Sequence, residues 1–226
     1  WNNKTSYLDE IGDLEEAQKC VEMAIKINPN NSDAYYNFGN VKQKFGDIAG
    51  AIQMYQKSID LNNQKVDAKW NLAISNLLHG NLSDGWKQFE IRRQRKTWVK
   101  RVFNGKELRS VNQLNKGTST VMVYSEQGLG DTIHFARFAN LLLPYAKKIV
   151  LEVQKPIKLI LSEMNDIDVV EKSSSIIKTD FHIPLLSIPK LLNIGFKQIP
   201  KPTLIKHKFE KEKNWKHIFK KNHINI

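Results

Sequence analysis

Residues 1–90 carry apolar positions at helical spacing, in a pattern that returns every 34 residues. Gly12, Gly46 and Gly80 fall one step apart, each followed by Asp13, Asp47 or Asn81. The same step links Ala17, Ala51 and Gly85, then Val21, Tyr55 and Phe89, then Asn3, Asn37 and Asn71. Small residues suit the points where two helices touch, aromatics fill the gap between them, and Gly followed by Asp or Asn marks the turn from a helix A to a helix B. After "EIRRQRKTW" the period changes. Val102–Thr118 is polar and irregular, a connector. Ser119–Tyr124 predicts a strand, Thr132–Leu143 a helix, Lys148–Val153 a strand, Pro156–Glu163 a helix, and Asp168–Glu171 and Asp180–Ile183 two further strands. A basic helix is predicted over Lys211–Lys221. The expected fold class is α followed by α/β: a helical-hairpin solenoid over residues 1–96, a connector over 97–118, and a Rossmann-like, doubly wound parallel sheet over 119–226.

Composition adds little to the fold and more to the partners. The chain is 41% hydrophobic and 26% charged, with a mean hydropathy of −0.47, which suits a globular protein. No apolar run approaches the ~18 residues needed to span a bilayer, and the single cysteine, Cys20, rules out an internal disulfide. The expected location is the cytoplasm, peripherally at the inner membrane if the acceptor lies there. The chain begins at Trp1, so the natural N-terminus is expected upstream. The net charge of +12 is uneven: residues 1–90 carry nine lysines and no arginine against twelve carboxylates, a net −3, and residues 91–226 carry a net +15. An anion-binding surface and simple drift toward Lys, Asn and Ile both fit, since 29 lysines, six arginines and 21 asparagines are present and selected phosphate sites favour Arg. The basic half lacks interleaved aromatics or a reading module, so nucleic acid is not an expected partner.

Candidate chemistry falls at the loop Ser125–Asp131, because ligands of such sheets sit beyond the carboxyl ends of the strands. Gly128 and Gly130 let backbone approach a ligand, the following helix start offers N–H groups to an anion, and Glu126 and Gln127 are candidates by location. A dinucleotide fingerprint would need a glycine near Ile133. Phosphate-loop, HExxH and GxSxG motifs are lacking, and no metal is expected. Asp131, at the start of the following helix, suits a helix cap. Asp180 and His182 alternate onto one face of their strand with Phe181 on the other, a polar strand end expected near the cleft, although a satisfied structural histidine is the competing reading.

Two resemblances organise these residues. "AYYNFGNVKQKFGDIAGAIQMYQKSIDLN" (residues 34–62), with the partial repeats on either side, strongly resembles the tetratricopeptide family. The resemblance implies a concave face built from the A helices, on which Asn3, Asn37 and Asn71 form an amide ladder able to hold protein or peptide. "VMVYSEQGLGDTIHFARFANLL", "KIVLEVQKPIKLIL" and "DFHIPLLSIPKLL" resemble bacterial proteins that join such repeats to a glycosyltransferase-like module, related to ADP-heptose lipopolysaccharide heptosyltransferases and, more distantly, to O-linked N-acetylglucosamine transferases. That second resemblance implies the acceptor-side half of a GT-B fold, with Asp131 as general base and His134 contacting phosphate or sugar; Arg137, one turn further along the helix, suits a ligand contact and a local salt bridge alike. It further implies a nucleotide-sugar donor in the full-length protein, a glycan, glycolipid or protein acceptor, and a donor-binding half beyond Ile226, so that these residues alone would not turn over. The alternative is a non-catalytic scaffold whose repeats dock a partner and whose Rossmann-like domain is a relic.

Overall fold

A computed structural model describes residues 1–172 and 177–202; the helix expected over Lys211–Lys221 lies outside them. The chain divides into two compact units.

The helical unit comprises Trp1–Val102, Arg109–Val111 and Ser187–Ile199. Six helices form three antiparallel hairpins: α1 (Asn2–Ile11) with α2 (Leu14–Ile27), α3 (Ser32–Lys44) with α4 (Ile48–Leu61), and α5 (Val66–His79) with α6 (Leu82–Phe89). The 34-residue step is visible in the turns. Gly12, Gly46 and Gly80 have φ between 83° and 92°, the left-handed region that L side chains avoid. The next residue starts helix B, and Asp13 and Asp47 cap theirs by accepting from the N–H of Glu16 at 3.2 Å and Gly50 at 2.8 Å. Stacking repeats build a solenoid core: Val41 of α3 packs on Leu8, Ala17 and Cys20 of the first hairpin, and Leu72 of α5 on Ala51 and Tyr55 of α4. Tyr55 is fully buried. A Cβ on Gly39 would stand 2.4 Å from its ring, so the small residue sets how closely α3 and α4 approach.

Ser187–Ile199, expected in the sheet domain, packs with the helices. The Trp86 indole of α6 donates to the Ile194 carbonyl at 3.1 Å, and Ser83 donates to Asn193 Oδ1 at 3.2 Å. The Phe196 ring lies 3.2 Å from where a Cβ of Gly80 would stand. The "FEIRR" stretch ending the repeats supplies the polar lock. Arg92, 2% exposed, donates to Glu90 Oε1 at 2.6 Å and to Ser187 Oγ at 2.7 Å, while Ser187 donates to Glu90 at 2.8 Å. The Arg92 guanidinium also lies over the Phe89 ring, 5.0 Å from its centroid.

The second unit comprises Phe103–Leu108, Asn112–Leu186 and the described residues from Pro200 onward. It holds a five-stranded parallel sheet of β1 (Lys106–Glu107), β2 (Thr120–Tyr124), β3 (Lys148–Val153), β4 (Ile167–Glu171) and β5 (Phe181–Pro184), in the order β1-β5-β2-β3-β4. Val121 pairs with Ile149 on one side and Phe181 on the other. Four strands fall on the predicted runs; β2 and β3, buried on both faces, read as near-continuous apolar residues, as central parallel strands do. β1 does not: it is a two-residue edge strand inside the polar connector, held by Lys106 N–H to Asp180 O at 2.9 Å and Leu108 N–H to His182 O at 2.8 Å. α7 (Leu129–Ala139) and α8 (Lys155–Leu161) connect β2 to β3 and β3 to β4. α7 starts three residues before the predicted Thr132 and passes into a 3₁₀ turn at Asn140–Leu142. Among the described residues no helix lies between β4 and β5, and Phe103 and Ile177 pack on the Met122, Tyr124 and Val150 face of the sheet.

Candidate functional site

On the A helices, the structure brings Asn37 of α3 beside a cleft of about 190 Å³ lined also by Thr5, Ser6, Asp9 and Glu10 of α1 and by Tyr36 and Asn40 of α3. The three ladder asparagines are not equivalent. Asn71 turns inward, donating to Asn40 Oδ1 at 2.9 Å. Asn37 donates to the Asn2 carbonyl at 3.5 Å, a bond near the limit of useful length, and Asn3 is exposed. Tyr55, which the repeat step marks as a gap-filling aromatic, also organises the polar groups of α3. Its hydroxyl donates to Asn40 Oδ1 at 2.9 Å and Gln43 Oε1 at 2.8 Å, and burial raises its pKa above the usual phenol value. Asp9 is paired with Lys44 at 2.9 Å. Asn40 was within reach of sequence reasoning, since it stands three residues after Asn37 on the same helical face.

The loop Ser125–Asp131 lies where the strand order reverses, between the carboxyl ends of β2 and β5. Its first residues are anchored on both sides. Glu126 Oε1 accepts from the Leu186 N–H at 3.1 Å, just past β5, and the Gln127 carbonyl accepts from Gln154 Nε2 at 2.7 Å, just past β3. Gly128 is extended rather than left-handed (φ −66°, ψ 172°), and its N–H donates to Asp131 Oδ2 at 3.2 Å. The N–H that could have met an external anion therefore meets the chain's own carboxylate. A Cβ on Gly130 would meet nothing within 4 Å. His134, exposed, shares a 2.9 Å contact between its Nε2 and Arg137 Nη2; desolvation and then the neighbouring guanidinium lower its pKa, with Asp131 opposing. Beside the loop, the Ser125 hydroxyl and Gln154 Oε1 are buried without a hydrogen-bond partner among the described residues.

Asp180 and His182 do not join this loop. β5 begins at Phe181 and runs parallel to β2, so Asp180 stands at the amino end of the sheet, the opposite end from Ser125–Asp131. Its carboxylate accepts from the N–H and the hydroxyl of Thr120, both at 2.8 Å, and these two bonds lower its pKa below the ordinary aspartate value. The His182 ring stacks on Phe103 at 4.4 Å and contacts the Gly105 carbonyl through Nδ1 at 3.0 Å. Asp180 thus ties β5 to β2, and His182 ties β5 to the segment just before the edge strand β1. Among the described residues no three His, Cys, Asp or Glu side chains cluster as a metal site, and no helix is long and apolar enough to cross a membrane.

Comparison with known proteins supports the helical unit. Residues 1–31 and 20–53 each match a tetratricopeptide repeat family model, and the chain carries such repeats, whose general use is protein docking. A curated relative, the Sol locus transcriptional repressor of Clostridium acetobutylicum, is 30% identical over 81 residues, which is 36% of this chain and 26% of that protein. The chain thus spans about a quarter of that relative's length. Among solved structures it is similar to the type III secretion translocator chaperone SycD of Yersinia enterocolitica, with 16% identity, a TM-score of 0.39, and 41% of this chain and 64% of that one covered. It is also similar to MamA of Desulfovibrio magneticus, with 20% identity, a TM-score of 0.39, and 42% and 55% covered.

Proposed function

We propose that the chain docks a partner protein through its repeats, an extended segment of the partner lying across α1 and α3. The observation that carries this is the cleft lined by Asn37 and Asn40, where the Asn40 carbonyl is already taken by Tyr55 and Asn71, so that its amide is pre-oriented to donate to a backbone carbonyl. A photo-reactive residue at Ser6, exposed on the cleft wall, is expected to cross-link a discrete protein in the native host. The same residue at exposed Lys57 of α4 is expected not to. Equal adducts at both positions, or none at Ser6, would overturn the reading.

A second reading gives the sheet unit a role in glycosyl transfer, as the acceptor-side half of a GT-B enzyme using a nucleotide-sugar donor and no metal. The unpartnered Ser125 hydroxyl and Gln154 carbonyl oxygen beside the loop favour it, since buried polar atoms without partners call for a polar ligand or water. In this reading Asp131 accepts the proton of the acceptor hydroxyl as the hydroxyl oxygen bonds to the anomeric carbon and the C–O bond to the nucleotide breaks, the nucleotide phosphate leaving with the electron pair. Asp131→Asn in the full native protein would abolish transfer while leaving the fold intact; transfer at the wild-type rate would remove Asp131 from the mechanism.

A further inference from the structure

The docking reading above leaves open what is docked, and the cleft itself narrows the answer. At about 190 Å³ it falls below the ~300–1,000 Å³ of small-molecule sites and suits one side chain of an extended segment. Its charged lining is Asp9 and Glu10, and no basic side chain lines it. Asp9 is already paired with Lys44, whose ammonium also donates to the Asp9 carbonyl at 2.6 Å. Glu10, one residue on, is exposed and has no ion-pair partner among the described residues.

The opposite wall supplies direction rather than charge. With Asn40 Oδ1 accepting from both Tyr55 and Asn71 at 2.9 Å, what that carboxamide has left to offer an occupant is a donor.

We propose that the cleft between α1 and α3 takes an arginine- or lysine-bearing extended peptide, its cation against Glu10 and Asp9 and a backbone carbonyl against the Asn40 amide. Acidic peptides are disfavoured by Glu10, the carboxylate of the pair that Lys44 does not balance.

The test uses the whole chain and an array of random decapeptides at 50 mM salt. Bound peptides are expected to be enriched in Arg and Lys, and Glu10→Gln to weaken them about two- to fivefold, the loss of one exposed ion pair. Glutamine-substituted counterparts of the same peptides should bind wild type and variant alike. Glu10 is exposed, so a superimposable melting curve is expected to show that the variant is folded. Enrichment in Asp and Glu, or a basic preference that survives both Glu10→Gln and Asp9→Asn, would overturn the cation assignment. The docking reading would then stand or fall on whether Asn37→Ala weakens the same peptides. An array with no peptide bound above background would remove both.

Discussion

The Trp86 indole N–H donates to the carbonyl of Ile194, 3.1 Å away in space and 108 residues on in sequence. Helix α6 closes the repeat array, and its outward aromatic residue is satisfied by a strip of chain that returns only after the whole sheet has been made. Trp86→Phe keeps most of the ring contact and removes the bond. A loss of about 1 kcal/mol is expected, read as a lower urea midpoint with an unchanged slope.

Gly39→Ala should cost more than its single methyl suggests. The added carbon would stand 2.4 Å from the Tyr55 ring, and that ring is fixed by bonds to Asn40 and Gln43. Overpacking of this kind costs about 1–3 kcal/mol. Because Tyr55 also orients Asn40, the variant is expected to lose peptide binding in step with stability; thermal melts and array binding on the same sample check both.

Asp180 ties the amino ends of β2 and β5 together, and its pH dependence has a definite sign. Hydrogen bonds from Thr120 lower its pKa, so the stabilisation is complete above the unfolded aspartate value, ~4, and is lost as pH falls through the still lower folded value. Wild type should exceed Asp180→Asn in stability at pH 7 and converge with it near pH 2. A gap that persists at pH 2 would show that the carboxylate charge is not what Thr120 binds.

For His134 the shift is also downward, from desolvation and from Arg137. A histidine held below its unfolded value favours the folded state above pH ~6.5 and loses that contribution as pH falls through the folded value. Proton NMR of the imidazole is expected to give a midpoint below 6.5. Arg137→Gln should move it upward, and no movement would assign the shift to burial alone.

What the sequence yielded follows from how locally each feature is encoded. The 34-residue step of Gly12, Gly46 and Gly80 announces itself because a left-handed turn needs glycine wherever it recurs, and β3 was read residue for residue from KIVLEV because both its faces are buried. β1 escaped, since two residues, Lys106 and Glu107, cannot show a period and their strand character comes from a partner strand, with Asp180 and His182, far later in the chain. The same distance hid the placement of Asp180: alternation along one strand does not say which end of the sheet a residue occupies. Asn37 of the cleft was found by repeat position, while Asp9 and Glu10 were not, because what assigns them is the gap between two helices rather than a pattern within one. Arg92 stood in a noted motif, yet its partner Ser187 could only be learned from the folded chain.

The return of Ser187–Ile199 to the helices has a consequence for how the molecule is made. As the polypeptide leaves the ribosome, the three hairpins appear first, but the groups that complete the last one are the final described segment to emerge. Until then the Trp86 indole lacks the Ile194 carbonyl, and the Arg92–Glu90 pair lacks the Ser187 hydroxyl. The repeat array is therefore finished late, after the strands between have been synthesised, and a protein cut at the connector would release an open-ended array rather than an independent module.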